Sequence, residues 1–418
     1  MITSTLNLKI GNLKISMNKL IPACYFFSLP CWPLISKNCL FLVGFLNFAL
    51  YLLKLVRVRK LPKFSYYEIV FFLFIVLCCL QSLYSPSPNT YSLCRRMILY
   101  YLGAFASIRL ISDYESNPYK ILNILMKAFI SGTLTISVYC VFAEGFNIDR
   151  LGRNVYENAG GNYIELSVCL LFSLLFIIWR IYGNSIHGEK NESIKAYIFL
   201  LVLFLLFCGL SNTRKVFVAG FLMVVFCTIW KTKLNIIKIF KYTILLCLLL
   251  IVVYYIITQI PFLHNFLIEN VFYRFSQLLT FMQTGVTTDD YSASARELVR
   301  ILAMQIWSRH KLFGVGTDGF RVYNNLGNKI SGLYSHCNFT ELLCNNGLIG
   351  FGLYYSFYVY ALLKSFRLKN EYSYLKCFIS SSLIILLIMD YGQVSYYYIY
   401  YIAFYMLISS LLKKASTY

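Results

Sequence analysis

The amino-acid sequence predicts an all-α polytopic integral membrane protein with about twelve (ten to twelve) transmembrane helices and one large extracytoplasmic loop. Of its 418 residues, 59% are hydrophobic and only 13% are charged, whereas soluble domains average roughly 45–50% and about 25%. At roughly 20 residues per span, this hydrophobic content is sufficient for about twelve spans. The net charge of +21 fits the loops of such a protein, because lysine and arginine accumulate in cytoplasmic loops. Binding of nucleic acid is therefore not expected.

Long apolar runs place the spans along the chain. Some of the runs are short, and the first pair is also compatible with a hairpin, so the expected number is given as a range. The runs cover Leu20–Ile35, Cys39–Leu53, Tyr66–Leu83, Met97–Ile111, Ile121–Ala143, Tyr163–Tyr182, Tyr197–Leu210, Val216–Trp230, Tyr242–Ile260, Gly347–Leu363, Cys377–Asp390 and Tyr396–Leu412.

Clusters of lysine and arginine predict the orientation. They follow the second, eighth and tenth spans and close the chain with Lys413 and Lys414. With twelve spans all of them lie on one side, which the distribution of cations identifies as the cytoplasm, with both termini inside. The chain then divides into an N-terminal transmembrane bundle of about nine helices (residues 1–260), a large external loop (261–346) and C-terminal transmembrane helices (347–418).

The external loop is far longer than an ordinary connection, and loops of that length are usually functional. Within it, Ser294–His310 has the period of an amphipathic helix, and one side of that helix carries Leu298, Ile301, Leu302, Gln305 and Ile306. The sequence of the loop therefore predicts short helices within it.

Three glycines after this helix match G-x-G-x-x-G: Gly314, Gly316 and Gly319. A dinucleotide-binding fingerprint requires a preceding strand and a βαβ unit, and the sequence predicts neither here. Two interpretations stay open: a turn whose backbone N–H groups approach an anion, and an ordinary flexible turn.

Several polar groups near the predicted outer ends of the spans are candidates for a site. Ser211–Lys215 is a polar island between two apolar runs, although an interhelical turn with snorkelling cations would look the same. In the loop, guanidinium groups that suit phosphate oxygens are supplied by Arg274, Arg296, Arg300, Arg309 and Arg321. His336 is one of only four histidines. A second outer loop, Glu144–Asn162, offers Arg153 and is equally compatible with a solvated connection.

Four segments in a fixed order resemble one family. They are Leu210-Ser-Asn-Thr-Arg214, Ser294-Ala-Arg296, Leu312-Phe-Gly-Val-Gly316, and the run from His336-Cys-Asn-Phe-Thr-Glu341 to Gly347-Leu-Ile-Gly350. Together they resemble the O-antigen ligase and O-antigen polymerase superfamily of bacterial envelope glycosyltransferases. The resemblance covers roughly Leu200–Tyr360, while the first half agrees in hydropathy alone.

The resemblance implies a metal-independent glycosyltransferase of the bacterial inner membrane, with no cofactor and a large periplasmic loop. Its donor would be an undecaprenyl-diphosphate-linked oligosaccharide. The matching catalytic positions are His336, Arg214 and Arg296. The family often reads His-Asn where this chain has His336-Cys337-Asn338, so the part played by Asn338 stays open.

A mechanism follows from the chemistry of such a donor. Arg214 and Arg296 would hold the diphosphate, while His336 would deprotonate or position the acceptor. Further candidates for diphosphate or glycan contacts are Arg300, Arg321, Arg153, Asn338 and Glu341.

Three functions stay open at this point. The wording of the Tyr-Ser-His-x-Asn segment favours a polymerase, which also implies a chain-length regulator as partner. The first alternative is a ligase that transfers the glycan to lipopolysaccharide core. The second is a lipid-glycan flippase, for which the sequence shows no related halves.

Overall fold

The computed structural model describes residues 7–10, 13–59, 62–145, 150–162, 164–183, 194–211, 214–232, 255, 291–324 and 332–416. Helices dominate this part. They are α1 (Met17–Ile35), α2 (Lys37–Val58), α3 (Tyr66–Gln81), α4 (Thr90–Tyr114), α5 (Pro118–Glu144), α6 (Arg153–Asn158), α7 (Ile164–Gly183), α8 (Ile194–Leu210), α9 (Arg214–Thr232), α10 (Tyr291–Arg309), α11 (Phe320–Tyr323), α12 (Asn338–Phe366), α13 (Ser373–Met389) and α14 (Ile399–Ala415). A 3₁₀ turn, Asn370–Tyr372, precedes α13.

The predicted helical character is confirmed, with one addition that the sequence analysis did not predict. Strands β1 (Asn7–Ile10) and β2 (Leu13–Ser16) form a short antiparallel hairpin before α1. Each predicted span except the ninth coincides with a helix. The ninth, Tyr242–Ile260, lies outside the described residues apart from Tyr255.

Five helical segments in the described part are long and apolar enough to cross a membrane: Lys37–Val58, Pro118–Glu144, Ile164–Gly183, Lys215–Thr232 and Asn370–Met389. Large apolar side chains also face outward from the bundle, for example Leu53, Phe142 and Phe199. Such exposure would be unfavourable in water and suits a surface in contact with lipid. The chain is therefore a multi-pass helical membrane protein.

Helices α7 and α14 lie at the centre of the bundle. From Ile399 to Leu412 every residue of α14 is buried, and α7 is buried from Leu166 to Arg180. A helix that is apolar on all sides has no preferred outer face, so it occupies the interior. The surrounding helices then present their ends at two opposite ends of the bundle.

One end of the bundle, which we call the basic end, gathers the end of α2, the start of α3 and the ends of α4 and α14. There Lys54 pairs with Asp113 at 3.1 Å, and Lys413 donates a hydrogen bond to the carbonyl of Lys63. These are members of the cation clusters that the sequence analysis placed on one side.

The opposite end, which we call the site end, gathers the end of α3, the start of α4, α6, the start of α9 and the segment from α10 to the start of α12. Contacts across the turns join these elements. The Thr90 hydroxyl donates to the Thr317 carbonyl at 2.8 Å, and the Leu151 N–H donates to the Leu210 carbonyl at 2.9 Å. The candidate residues of the sequence analysis that the structure describes lie at this end.

The predicted loop helix is present as α10, and its buried side overlaps the predicted side in part. Val299 and Ala303 are its buried residues, packed on Val315, Phe320 and Cys344. Leu298 and Ile301, which the sequence analysis placed on the same side as Leu302 and Ile306, are about half exposed. The helical period was right, and Leu302 and Ile306 pack against this cluster as partly buried residues, but the fully buried positions are the smaller Val299 and Ala303.

Candidate functional site

The central candidate, His336, lies in a short loop before α12 with a left-handed backbone, φ 55°. This conformation is uncommon outside glycine, although histidine is among the residues enriched in it. Its imidazole packs on the ring of Tyr334, with 4.2 Å between ring centroids. A strained backbone persists only where its surroundings hold it in place, and such positions concentrate at functional sites.

Glu341 stabilises this loop through hydrogen bonds. Its carboxylate accepts hydrogen bonds from the Ser335 N–H at 2.6 Å and from the Asn345 amide at 3.0 Å. The Asn345 oxygen in turn accepts from the Phe320 N–H at 2.8 Å. Glu341 is buried, so the geometry gives it a positioning role in which it ties the His336 loop to α11.

Asn338 is also buried and holds the other side of the loop. Its N–H donates to the Asp390 carbonyl at 2.8 Å. Its side-chain oxygen accepts from the Ser395 N–H at 2.9 Å, and its amide donates to the Tyr355 hydroxyl at 2.9 Å. These bonds connect the start of α12 with the turn between α13 and α14.

Asp390 is the centre of that turn. Its carboxylate accepts from the hydroxyls of Ser395 at 2.6 Å, Tyr355 at 3.0 Å and Tyr358 at 3.3 Å. Burial raises the pKa of Asp390 to about 7, although the hydrogen bonds oppose the shift. The His336 loop thus rests on a polar network that lies out of contact with solvent.

Four cations surround His336: Lys215, Arg296, Arg300 and Arg321. Burial of the imidazole and the positive charges of these four groups lower the pKa of His336 to about 3. The imidazole is therefore neutral at physiological pH. It lies in a strongly positive environment that favours an anion.

Different elements hold each cation. Arg300 donates to the Tyr391 carbonyl at 3.0 Å and lies 4.3 Å from the centroid of the Tyr391 ring. Lys215, at the start of α9, donates to the carbonyl of Gly392 in the same turn. The cluster is thus assembled on the α13–α14 turn by residues from α9 and α10.

The remaining two cations of the cluster are Arg321 and Arg296. Arg321 pairs with Asp318 at 3.0 Å and lies over the Tyr334 ring at 5.6 Å. Arg296 is exposed, one helical turn before Arg300, and its guanidinium makes no hydrogen bond within the described residues. It is thus accessible to a ligand that enters from outside.

The structure places the two other predicted arginines at the site end. Arg214 is the first residue of α9 and directly precedes Lys215. Arg153 is exposed on α6, where it pairs with Glu157 at 3.6 Å. In the described part of the chain, no hydrogen bond or ion pair connects Arg153 with the cluster at His336. Arg274 lies outside the described residues.

The glycine motif has a structural use that neither open interpretation described. The N–H groups of Val315 and Gly316 donate to the carbonyls of Cys344 and Asn345, both at 2.9 Å. A Cβ at Gly314 would lie 2.5 Å from the Asn345 carbonyl oxygen. The segment packs backbone to backbone against α12, so these N–H groups are not available to an anion.

The same packing explains a kink in α12. Gly347 interrupts the helix with φ 66°, and a Cβ there would lie 2.2 Å from the Leu312 carbonyl oxygen. The kink occurs where the sequence analysis placed the start of the tenth span. It frees the N–H of Leu348 to donate to the Lys311 carbonyl at 2.9 Å.

Lys215 was singled out only as part of the polar island, without a role of its own, and the supporting turn at Tyr391–Gly392 was not predicted. A signal for Lys215 was present, because it closes the polar island that contains Arg214. Nothing local marks Tyr391 or Gly392, since their role depends only on what packs against them.

Cations from separate helices lie around a neutral imidazole at one end of an apolar bundle, so this membrane protein has a positively charged cluster that favours an anion. A family model described as O-antigen ligase matches residues 199–355. This region contains Arg214 and Lys215 at the start of α9, Arg296 and Arg300 on α10, His336 in the loop, and the kinked start of α12. The match supports the resemblance of this region to the O-antigen ligase and polymerase superfamily that the motifs indicate. No curated protein matches the chain with significant similarity.

Proposed function

We propose that the protein is an O-antigen, or related surface polysaccharide, polymerase of the bacterial inner membrane. It joins undecaprenyl-diphosphate-linked oligosaccharide repeat units. The observation that carries the proposal is the convergence of Lys215, Arg296, Arg300 and Arg321 on His336 at one end of an apolar helical bundle. A lipid-linked diphosphate requires both features, a bilayer for its tail and fixed cations for its head.

In the proposed reaction, a hydroxyl of the acceptor sugar attacks the anomeric carbon of the donor. The new glycosidic C–O bond forms as the bond to the diphosphate oxygen breaks, and undecaprenyl diphosphate leaves with the electron pair. The four cations stabilise the charge that develops on this leaving group. Guanidinium groups suit the task because each can donate two parallel hydrogen bonds to phosphate oxygens.

His336 takes the proton of the attacking hydroxyl. With these cations around it, its pKa of about 3 makes it a weak base. A bound diphosphate brings negative charge among the same cations, which raises the pKa of the imidazole toward its ordinary value. The substrate thus activates the base that its own transfer requires.

The other predicted residues take supporting roles in this proposal. Glu341 and Asn338 are positioning residues, because their side chains are buried and hold the His336 loop. Arg214 contributes charge beside Lys215 at the start of α9, and Arg153 contacts the glycan farther out on α6. The transfer needs no metal, as the resemblance implies.

The orientation is part of the proposal. The site end faces the periplasm, and the basic end, with both termini, faces the cytoplasm, as the distribution of lysine and arginine indicates. The division at residues 260 and 346 and the chain-length regulator stay predictions.

Variants of the cluster test the function. His336→Ala and Arg296→Ala should leave the protein in the membrane at wild-type levels and abolish long glycan chains on a gel. The loss of a general base costs roughly 10²–10⁴-fold in rate, and the loss of one fixed charge-stabilising donor costs roughly 10²–10³-fold. Arg309→Ala, an exposed arginine at the end of the same helix α10, is the matched control. Unchanged chain lengths in the His336 variant would refute its role.

A ligase is the second candidate, favoured by the description of the matching family model. A deletion strain separates the two functions. Core lipopolysaccharide with a single repeat unit supports the polymerase. Unsubstituted core with polymer left on the lipid carrier supports the ligase.

A further inference from the structure

A second cavity opens at the site end, apart from the cations at His336. Its volume is about 50 Å³, and a single water molecule needs about 10–15 Å³ measured in the same way. Its walls combine aromatic and charged side chains from several helices. They include Trp32, Lys37, Arg96, Tyr100, Glu165 and Tyr398. The space accommodates one edge of a sugar ring.

The charged groups of this cavity are held in place. Glu165 accepts hydrogen bonds from the Trp32 indole N–H and the Tyr400 hydroxyl, both at 2.9 Å. The Lys37 ammonium lies 4.5 Å from the centroid of the Trp32 ring and donates to the Gly160 carbonyl at 2.5 Å. These contacts form a rigid base with a carboxylate and an ammonium.

Arg96 is the group left for a ligand. Its only hydrogen bond within the described residues runs from Nε to the Ser92 carbonyl, at 3.4 Å. The two terminal nitrogens of its guanidinium have no acceptor in that part of the chain. A guanidinium with free donors and a carboxylate in one cavity match the neighbouring hydroxyls of a sugar, which both donate and accept hydrogen bonds.

Two tyrosines join this cavity to the cluster at His336. Both Tyr397 and Tyr398 line the cavity. Tyr398 lies within electrostatic reach of Glu165 and of Tyr334, the residue that packs on His336. Tyr397 lies within reach of Tyr334 and of Arg321. Tyr397 and Tyr398 are therefore close both to the cavity and to residues of the cluster at His336.

We propose that this cavity is a carbohydrate subsite. It takes one edge of a pyranose residue of the lipid-linked glycan, with the hydroxyl groups of that edge between Arg96 and Glu165 and the ring against the tyrosines. The proposal rests on the proposed function for its substrate class. It assigns recognition of the glycan to residues of α1, α2, α4 and α7, which lie outside the matched family region.

Binding measurements on the full-length protein in detergent test the subsite without requiring turnover. The probe is the repeat-unit oligosaccharide, released by mild acid from the lipid carrier of producing cells. Trp32 is one of only four tryptophans, so its fluorescence reports entry into the cavity, and Trp32→Phe identifies its part of the signal. The wild type should show a saturable change. Arg96→Met and Glu165→Gln should each weaken binding about ten- to hundredfold, as expected for a lost hydrogen bond to a charged group.

Two controls make the result specific. Arg95→Met removes the adjacent, exposed arginine and should leave the affinity unchanged. Arg296→Ala should also leave oligosaccharide affinity unchanged, while it weakens binding of glycan-free undecaprenyl diphosphate.

The outcomes separate the subsite from the proposed function. If neither elongation nor ligation occurs but binding depends on Arg96 and Glu165, the subsite stands and the proposed function falls. If polymer forms but oligosaccharide binding is absent or insensitive to both variants, the subsite is refuted. Glu165→Gln preserves shape, so it decides the matter should Arg96→Met fail to fold.

Discussion

Replacement of Asp390 by alanine should destabilise the protein by about 3–5 kcal/mol, at the upper end for single substitutions. The carboxylate is fully buried and accepts from the hydroxyls of Ser395, Tyr355 and Tyr358 and from the Asn338 amide. Each donor left without a partner costs about 1–3 kcal/mol. The hydroxyl groups can rotate toward new partners, so the cost for each donor lies near the lower limit of about 1 kcal/mol.

Thermal unfolding in detergent measures this loss. At about 2.1 cal/mol/K of unfolding entropy per residue over 418 residues, the cost corresponds to a fall of roughly 3–6 °C in Tm. Asp113→Ala is the matched control, because Asp113 forms an exposed pair with Lys54, and exposed pairs contribute about 0–1 kcal/mol. Equal shifts in Tm for the two variants would refute the reasoning.

The same residue predicts a pH dependence of stability. The pKa of Asp390 is about 7 in the folded protein and about 3.9 in an unfolded chain. Between these values the folded state binds more protons, so the contribution of Asp390 to stability falls as pH rises through 7. Asp390→Asn cannot titrate and should lose this part of the dependence. Identical pH profiles of Tm for wild type and Asp390→Asn would contradict the assignment.

Three further results are expected. Gly347→Ala should cost more than about 2 kcal/mol, because its Cβ would meet the Leu312 carbonyl at φ 66°, whereas Gly352→Ala, with open space around it, should be nearly neutral in a thermal assay. Arg109→Met should cost about 3–5 kcal/mol in the same assay, because it leaves Glu68 buried without its ion-pair partner. The profile of kcat/KM against pH should show no step from His336 near pH 6.5, because the pKa of His336 in the free protein is about 3. The profile of kcat should show a step from His336 at a pH above 3, because bound diphosphate offsets the charge of the cations. Coincident profiles of kcat/KM and kcat would contradict this.

Much of the helical architecture could be predicted because each apolar residue of a span adds its own favourable free energy of transfer into lipid. Apolar runs such as Ile121–Ala143 or Tyr163–Tyr182 can therefore be recognised in the sequence, and they coincide with helices α5 and α7. The N-terminal hairpin of β1 and β2 escaped prediction, since eight residues provide too short a pattern to stand out from a loop.

The candidate site could be predicted only in part. The motifs pointed to Arg296 and His336, and both belong to the cluster. They also singled out Asn338 and Glu341, without indicating that these side chains turn inward. The direction of a side chain follows from the packing of α12 against its neighbours, which residue type does not reveal.

The sequence by itself determined that this chain is a membrane protein, which segments are helical, and which superfamily it resembles. These properties depend on local composition and short motifs. Only the tertiary structure decided that Lys215, Arg300 and the turn at Tyr391 meet at His336, and that Arg96 and Glu165 line the same second cavity. These residues are far apart along the chain. Their distances, and with them the electrostatic potential at the site, are set by helix packing.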